Sequence, residues 1–88
     1  MEIELRKSAI KDLSKLLPNH RSKVLSAISS LKNFPNIGNV KRLVNFDFAF
    51  RLRVGDYKIL FDTYNGIIYV ARILHRKDAY KHWGIIAF

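Results

Sequence analysis

The chain has 88 residues, no cysteine, and 16 Lys and Arg against 7 Asp and Glu, a formal charge of +9 at pH 7. One small domain fits that length, and the missing thiols exclude a disulfide framework, a thiolate metal site and a cysteine nucleophile, as suits a cytoplasmic protein. With 49% hydrophobic and 26% charged residues the balance is that of a packed domain, and the positive field favours a polyanion, nucleic acid ahead of an acidic protein or an anionic membrane surface.

Met1 to Arg6 carries acids and no apolar run, which argues against a signal peptide, and no stretch approaches the roughly 20 apolar residues of a membrane span. Residues 2 to 6 alternate polar and apolar, predicting a short strand with Ile3 and Leu5 on one face. Ser8 offers an N-cap to a first helix whose stripe is Ile10, Leu13, Leu16 and Leu17, interrupted by Pro18 and Asn19. A second, amphipathic helix is predicted from about Asn19 to Phe34, where Val24, Ala27, Ile28, Leu31 and Phe34 recur at intervals of three and four and His20 stands on the solvated side. Pro35 to Asn39 reads as a loop.

From residue 46 to 54, Phe46, Phe48, Phe50, Leu52 and Val54 alternate with Asp47, Ala49, Arg51 and Arg53, a half-buried strand with its arginines outside. Gly55-Asp56 turns the chain into a strand over 57–64, and Asn65-Gly66, a strong two-residue hairpin signal, turns it again into a strand over 67–75. No internal repeat or linker interrupts this order. The predicted fold is therefore α+β, one domain over 1–88: strand, helix, helix, strand, strand, strand, with an antiparallel-rich four-stranded sheet and a helical hairpin packed on one face.

Two clusters carry chemistry. Arg51 and Arg53 leave the same face of their strand and Lys58 follows just after the turn, so three cations can converge where a phosphate backbone rests; the bland reading is a strand face kept soluble by charge. The run His75-Arg76-Lys77-Asp78-Ala79-Tyr80 combines an imidazole, cations and a phenol. Cleaving RNA without a metal needs a proton acceptor for the 2′-hydroxyl, cations for the phosphorane charge and a donor to the leaving 5′-oxygen, and those residue types are all present. The His75 imidazole can accept or donate such a proton, and Tyr80 can stack on an unpaired base or simply cap the core with a wet hydroxyl. Asp78 reads as structural, Trp83, Ile85, Ile86 and Phe88 as core, and His82 stays ambiguous. No metal-ligand spacing, phosphate loop or Gly-x-Ser-x-Gly elbow occurs, so no cofactor is implied.

The run Phe50-Arg51-Leu52-Arg53-Val54-Gly55-Asp56-Tyr57-Lys58-Ile59-Leu60-Phe61, followed by Val70-Ala71-Arg72-Ile73-Leu74-His75-Arg76-Lys77-Asp78-Ala79-Tyr80, resembles the signature half of RelE/ParE-superfamily toxins. The RelE-like resemblance implies ribosome-dependent endoribonuclease action on translated mRNA, by metal-independent 2′-hydroxyl attack that leaves a cyclic phosphate and a 5′-hydroxyl. It implies catalytic roles for Arg53, Lys58, His75, Arg76 and Tyr80, with Arg51, Lys77 and Lys81 binding RNA; Lys77 is an alternative to Arg76 as the main C-terminal cation. The partners it implies are the ribosome with its message and a cognate RelB-like antitoxin. Two alternatives share the scaffold: a ParE-like inhibitor of DNA gyrase that does no RNA chemistry, and a basic adaptor without enzymatic activity.

Overall fold

Alternation of exposed Glu2 and Glu4 with half-buried Ile3 and Leu5 makes Glu2–Leu5 a strand, β1. A computed structural model describes residues 1–44 and 47–77. In chain order the other elements are α1 (Lys7–Ser14), α2 (Pro18–Ser30), a 3-10 turn (Leu31–Asn33), β2 (Val40–Arg42), β3 (Phe50–Val54), β4 (Tyr57–Tyr64) and β5 (Ile67–His75). The sheet order is β1-β5-β4-β3-β2. β3, β4 and β5 form the expected antiparallel meander, β1 adds parallel to β5, and β2 adds antiparallel to β3. The sheet is thus five-stranded and mixed. β2 was not expected: it has 3 residues, too few to show a period, and two of them are exposed on the sheet edge.

β1 stops pairing at Leu5 opposite Val70, and from there α1 takes over the edge of β5. Ladder register skips Ala71, since Leu60 faces Arg72 while Phe61 faces Val70, the signature of a bulge. Ser8 Oγ donates to the Ala71 carbonyl at 2.6 Å. The Asp12 carboxylate accepts the Ile73 N–H at 2.9 Å and the Arg72 guanidinium through Nε at 2.8 Å and Nη2 at 3.2 Å. Two side chains of α1 therefore satisfy backbone groups that a neighbouring strand would otherwise pair. Ser8 is consequently not the N-cap; that position falls to Arg6, without a side-chain cap, because the helix starts directly off the strand.

Pro18 opens α2 rather than merely ending α1: at the first helical position its missing N–H costs nothing. Arg21 of α2 donates to the Leu13 carbonyl at 2.9 Å and the Leu16 carbonyl at 2.8 Å, capping the end of α1. Among the described residues, no helix is long and apolar enough to cross a membrane.

The core lies between the helices and one sheet face, where Ala9, Leu13, Val24, Ile28 and Leu31 meet Leu52, Ile59, Phe61, Ile68, Val70 and Ile73. Phe34, Phe50 and Phe61 pack ring on ring, with centroids 5.0 to 5.6 Å apart. The other face carries a second apolar patch of Leu60 and Leu74, flanked by Leu43 and Phe48.

β3 begins at Phe50, not at 46. The Ala49 N–H leaves the ladder for the Asp62 carboxylate at 2.7 Å, and Phe48 packs on the far face while Phe50 packs under the helices, so the phenylalanine alternation breaks at a bend. The β4–β5 turn is as expected: Asn65 and Gly66 both take positive φ, 49° and 77°, as the tight hairpin requires. Gly66→Ala is expected to cost about 1 kcal/mol, the penalty of a Cβ in that region, measured as a lower urea midpoint at unchanged slope.

Candidate functional site

Directly paired residues on neighbouring strands share a face, and that rule assembles the site. Lys41 of β2 pairs with Arg51 of β3, and Arg53 of β3 pairs with Lys58 of β4. Both cross-strand pairs set cation against cation, an arrangement that destabilises a sheet. All four lie on the face away from the helices, beside Leu60 and Leu74, since Lys58 also pairs with Leu74. The sequence expectation that Arg51, Arg53 and Lys58 share one face holds.

Burial sharpens the picture. Arg53 and Lys41 are exposed, but Arg51 is 7% and Lys58 0% exposed. Solubility accounts for neither. Arg51 Nε is fully enclosed with no hydrogen-bond partner, although buried donors are nearly always paired. Burial, with repulsion from Arg53, lowers the Arg51 pKa. Burial pushes the Lys58 ammonium down to about 8, with further repulsion from Arg51, Arg53 and Lys41. Desolvated, mutually repelling cations of this kind are stabilised by a nearby anion, and an amine titrating near neutrality can also move a proton.

The C-terminal residues are divided by the end of β5 at His75. Arg76 and Lys77 are exposed. The Arg76 N–H donates to the Asp56 carbonyl at 2.7 Å, which ties this segment to the Gly55-Asp56 turn, next to Arg53 and Lys58. His75 goes the other way. It pairs with Tyr57 on the helix-facing side, so the sheet lies between its ring and the cations, and the structure does not bring His75 together with Arg53 and Lys58. Its Nδ1 accepts the Lys77 N–H at 3.2 Å and its ring stands edge-on to Tyr57 at 5.3 Å. Tyr80 and Lys81, with Asp78, His82, Trp83, Ile85, Ile86 and Phe88, lie outside the described residues.

Sequence reasoning missed His20. Expected to be solvated, it is half-buried, with Nδ1 3.1 Å from the Tyr57 hydroxyl and its ring edge-on to that phenol. Nothing local signals this, because the partner is 37 residues away. Sequence reasoning also passed over Lys41, whose strand was not expected.

The family model described as the ParE toxin of type II toxin-antitoxin systems, parDE, matches residues 3–80. The RelE1 protein of Methanocaldococcus jannaschii is 33% identical over 87 residues, covering 91% of this chain and 94% of the relative. Toxin RelE3 of the same organism is 28% identical over 88 residues, covering 94% and 99%. Among solved structures, the RelB-RelE antitoxin-toxin complex from Methanococcus jannaschii holds a chain similar at TM-score 0.75 and 27% identity, covering 90% of this chain and 96% of that one. The agreement spans both the helical hairpin and the cationic meander, and the chain belongs to the RelE/ParE superfamily of toxins of type II toxin-antitoxin systems.

Proposed function

We propose that this toxin is a RelE-like endoribonuclease that cuts messenger RNA on the ribosome and is silenced by a RelB-like antitoxin. The observation that carries this reading is the buried cationic cradle, with Arg51 Nε enclosed and unpartnered and Lys58 fully buried among like charges. Phosphoryl transfer concentrates negative charge on the non-bridging oxygens, and fixed cations in a water-poor site stabilise that charge most. In this proposal Arg51 and Arg53 hold the scissile phosphate, Lys58 exchanges a proton with the reacting oxygens, and Arg76 stands on the leaving-group side. Lys77 and Lys81 extend the RNA contact, and Tyr80 stacks on a base. His75 faces away and takes no part in the phosphate chemistry. Attack by the 2′-hydroxyl needs no metal in this scheme.

Silencing follows from the same charge. A segment rich in Asp and Glu, folding on the toxin as it binds, offsets the +9 field. The RelB partner in the solved relative supports an antitoxin of that kind.

A second reading is kept because the matching family model is described as ParE: a ParE-like inhibitor of DNA gyrase. The purified chain is tested in two reactions, translation of a defined message and supercoiling by gyrase. The ribonuclease reading expects cuts in the message only while ribosomes occupy it and normal supercoiling. Intact message with trapped, cleaved DNA would establish the gyrase reading instead.

A further inference from the structure

The sheet end that carries Arg53 and Lys58 on one face carries a separate pocket on the other. A cavity of about 200 Å³ opens where the start of α2 meets the β3–β4 turn, lined by apolar Val24 and Val54, by the rings of His20, Tyr57 and His75, and by the opposite charges of Lys23 and Asp56. Three flat rings line it: Tyr57 lies edge-on to His20 at 5.8 Å and edge-on to His75 at 5.3 Å. Two of the ring nitrogens already have neighbours, His20 Nδ1 on the Tyr57 hydroxyl and His75 Nδ1 on the Lys77 N–H. Both contacts engage Nδ1 of their ring. Pockets for drug-sized ligands measure about 300–1,000 Å³, so this one suits a single flat ring system. Aromatic rings, apolar valines and imidazoles match the face and edge of a neutral nucleobase, while Lys23 and Asp56 in the lining offset each other in charge.

We propose that the His20-Tyr57-His75 pocket holds one nucleobase of a single-stranded RNA whose backbone lies on the cationic face. Val54 and Tyr57, which belong to the pocket, are the immediate chain neighbours of Arg53 and Lys58, which belong to the cradle. A strand bending round the Gly55-Asp56 turn passes from one to the other. The inference rests on the reading of this toxin as an RNA binder, but its test needs no cleavage.

The full chain is titrated first with the four neutral ribonucleosides and with ribose 5-phosphate, while the ring resonances of His20 and His75 are followed by NMR. The nucleosides are expected to shift both histidines in the millimolar range and the sugar phosphate to shift neither. Binding of a short single-stranded RNA is then compared with that of an abasic ribose-phosphate chain of the same length. His20→Ala, checked for folding by circular dichroism, is expected to weaken the base-bearing RNA at least fivefold and leave the abasic chain unchanged. Arg53→Ala is expected to weaken both. Nucleosides that move neither histidine would overturn the proposal without any variant. Nucleosides that bind while His20→Ala leaves RNA affinity unchanged would assign the pocket to free nucleotides and overturn the RNA source. An RNA that binds through the pocket but is never cut on ribosomes would leave the pocket standing and remove the nuclease reading instead.

Discussion

Arg53→Ala combined with Lys58→Met is expected to lower cleavage of ribosome-bound message by at least about a hundredfold, the loss typical of deleting one preorganised charge stabiliser in a water-poor site. Arg53 is exposed, and in the proposed reaction it supplies charge to the phosphate directly. Lys58 is its cross-strand partner, wholly buried. The pair lies outside the main core under the helices, and methionine keeps the apolar stem of Lys58 beside Leu74, so the double variant is expected to retain its fold. Arg76→Ala is expected to act in the same direction, since its backbone is pinned to the turn between Arg53 and Lys58. The check is the rate of message loss in a reconstituted translation reaction, with circular dichroism confirming the fold. Folded variants that kept full activity would show that the cradle is not where the message is cut.

The second large effect is on stability, and it runs the opposite way. Burial first, and then repulsion from the neighbouring cations, pushes the Lys58 ammonium down to about 8 in the folded chain, from the ordinary lysine value of 10.5. The unfolded chain therefore binds more protons between those two values, and stability rises with pH across that window. Below about pH 8 the lysine is charged in both states and the folded state bears the full desolvation and repulsion. Lys58→Met removes that burden. At pH 7 it is expected to raise stability by up to about 3 kcal/mol, the pKa difference converted at 1.36 kcal/mol per unit. The gain should shrink as pH climbs from about 8 to above 10 and vanish beyond. Urea unfolding of both proteins at pH 7 and pH 10.5 measures it as a difference, which cancels the other titrating groups. A variant less stable than the parent at pH 7 would contradict the assignment of Lys58 as a residue held against its own preference.

How far the sequence foretold this arrangement differs from element to element. The meander was legible because Phe50, Leu52 and Val54 alternate with Arg51 and Arg53, and Gly55-Asp56 and Asn65-Gly66 each admit a tight turn. β2 was not legible: Val40, Lys41 and Arg42 pair with Leu52, Arg51 and Phe50, and three residues on an edge carry no pattern. The phenylalanine series overran because alternation alone cannot reveal that Asp62 withdraws the Ala49 N–H from the ladder. The common face of Arg51 and Arg53 followed from their spacing of two, whereas the depth of Arg51 and Lys58 depends on what packs around them and is a tertiary property. His75 shows the converse. Adjacent in sequence to Arg76, it was grouped with the cations, yet it is the last residue of β5 and register with Tyr57 sends it to the helix side.

The claim at the centre of this account is that the cationic face cuts translated message, and the chemistry of the cut ends tests it most directly. A defined message is translated in a reconstituted system with the purified toxin, and the new termini are identified by their response to enzymes that require a 5′-phosphate or a free 3′-hydroxyl. The account predicts fragments bearing a 2′,3′-cyclic phosphate and a 5′-hydroxyl, formed only on ribosome-occupied message and lost in the Arg53→Ala, Lys58→Met protein. Fragments with 5′-phosphate ends, cuts in ribosome-free message at equal rate, or no cuts at all would contradict it.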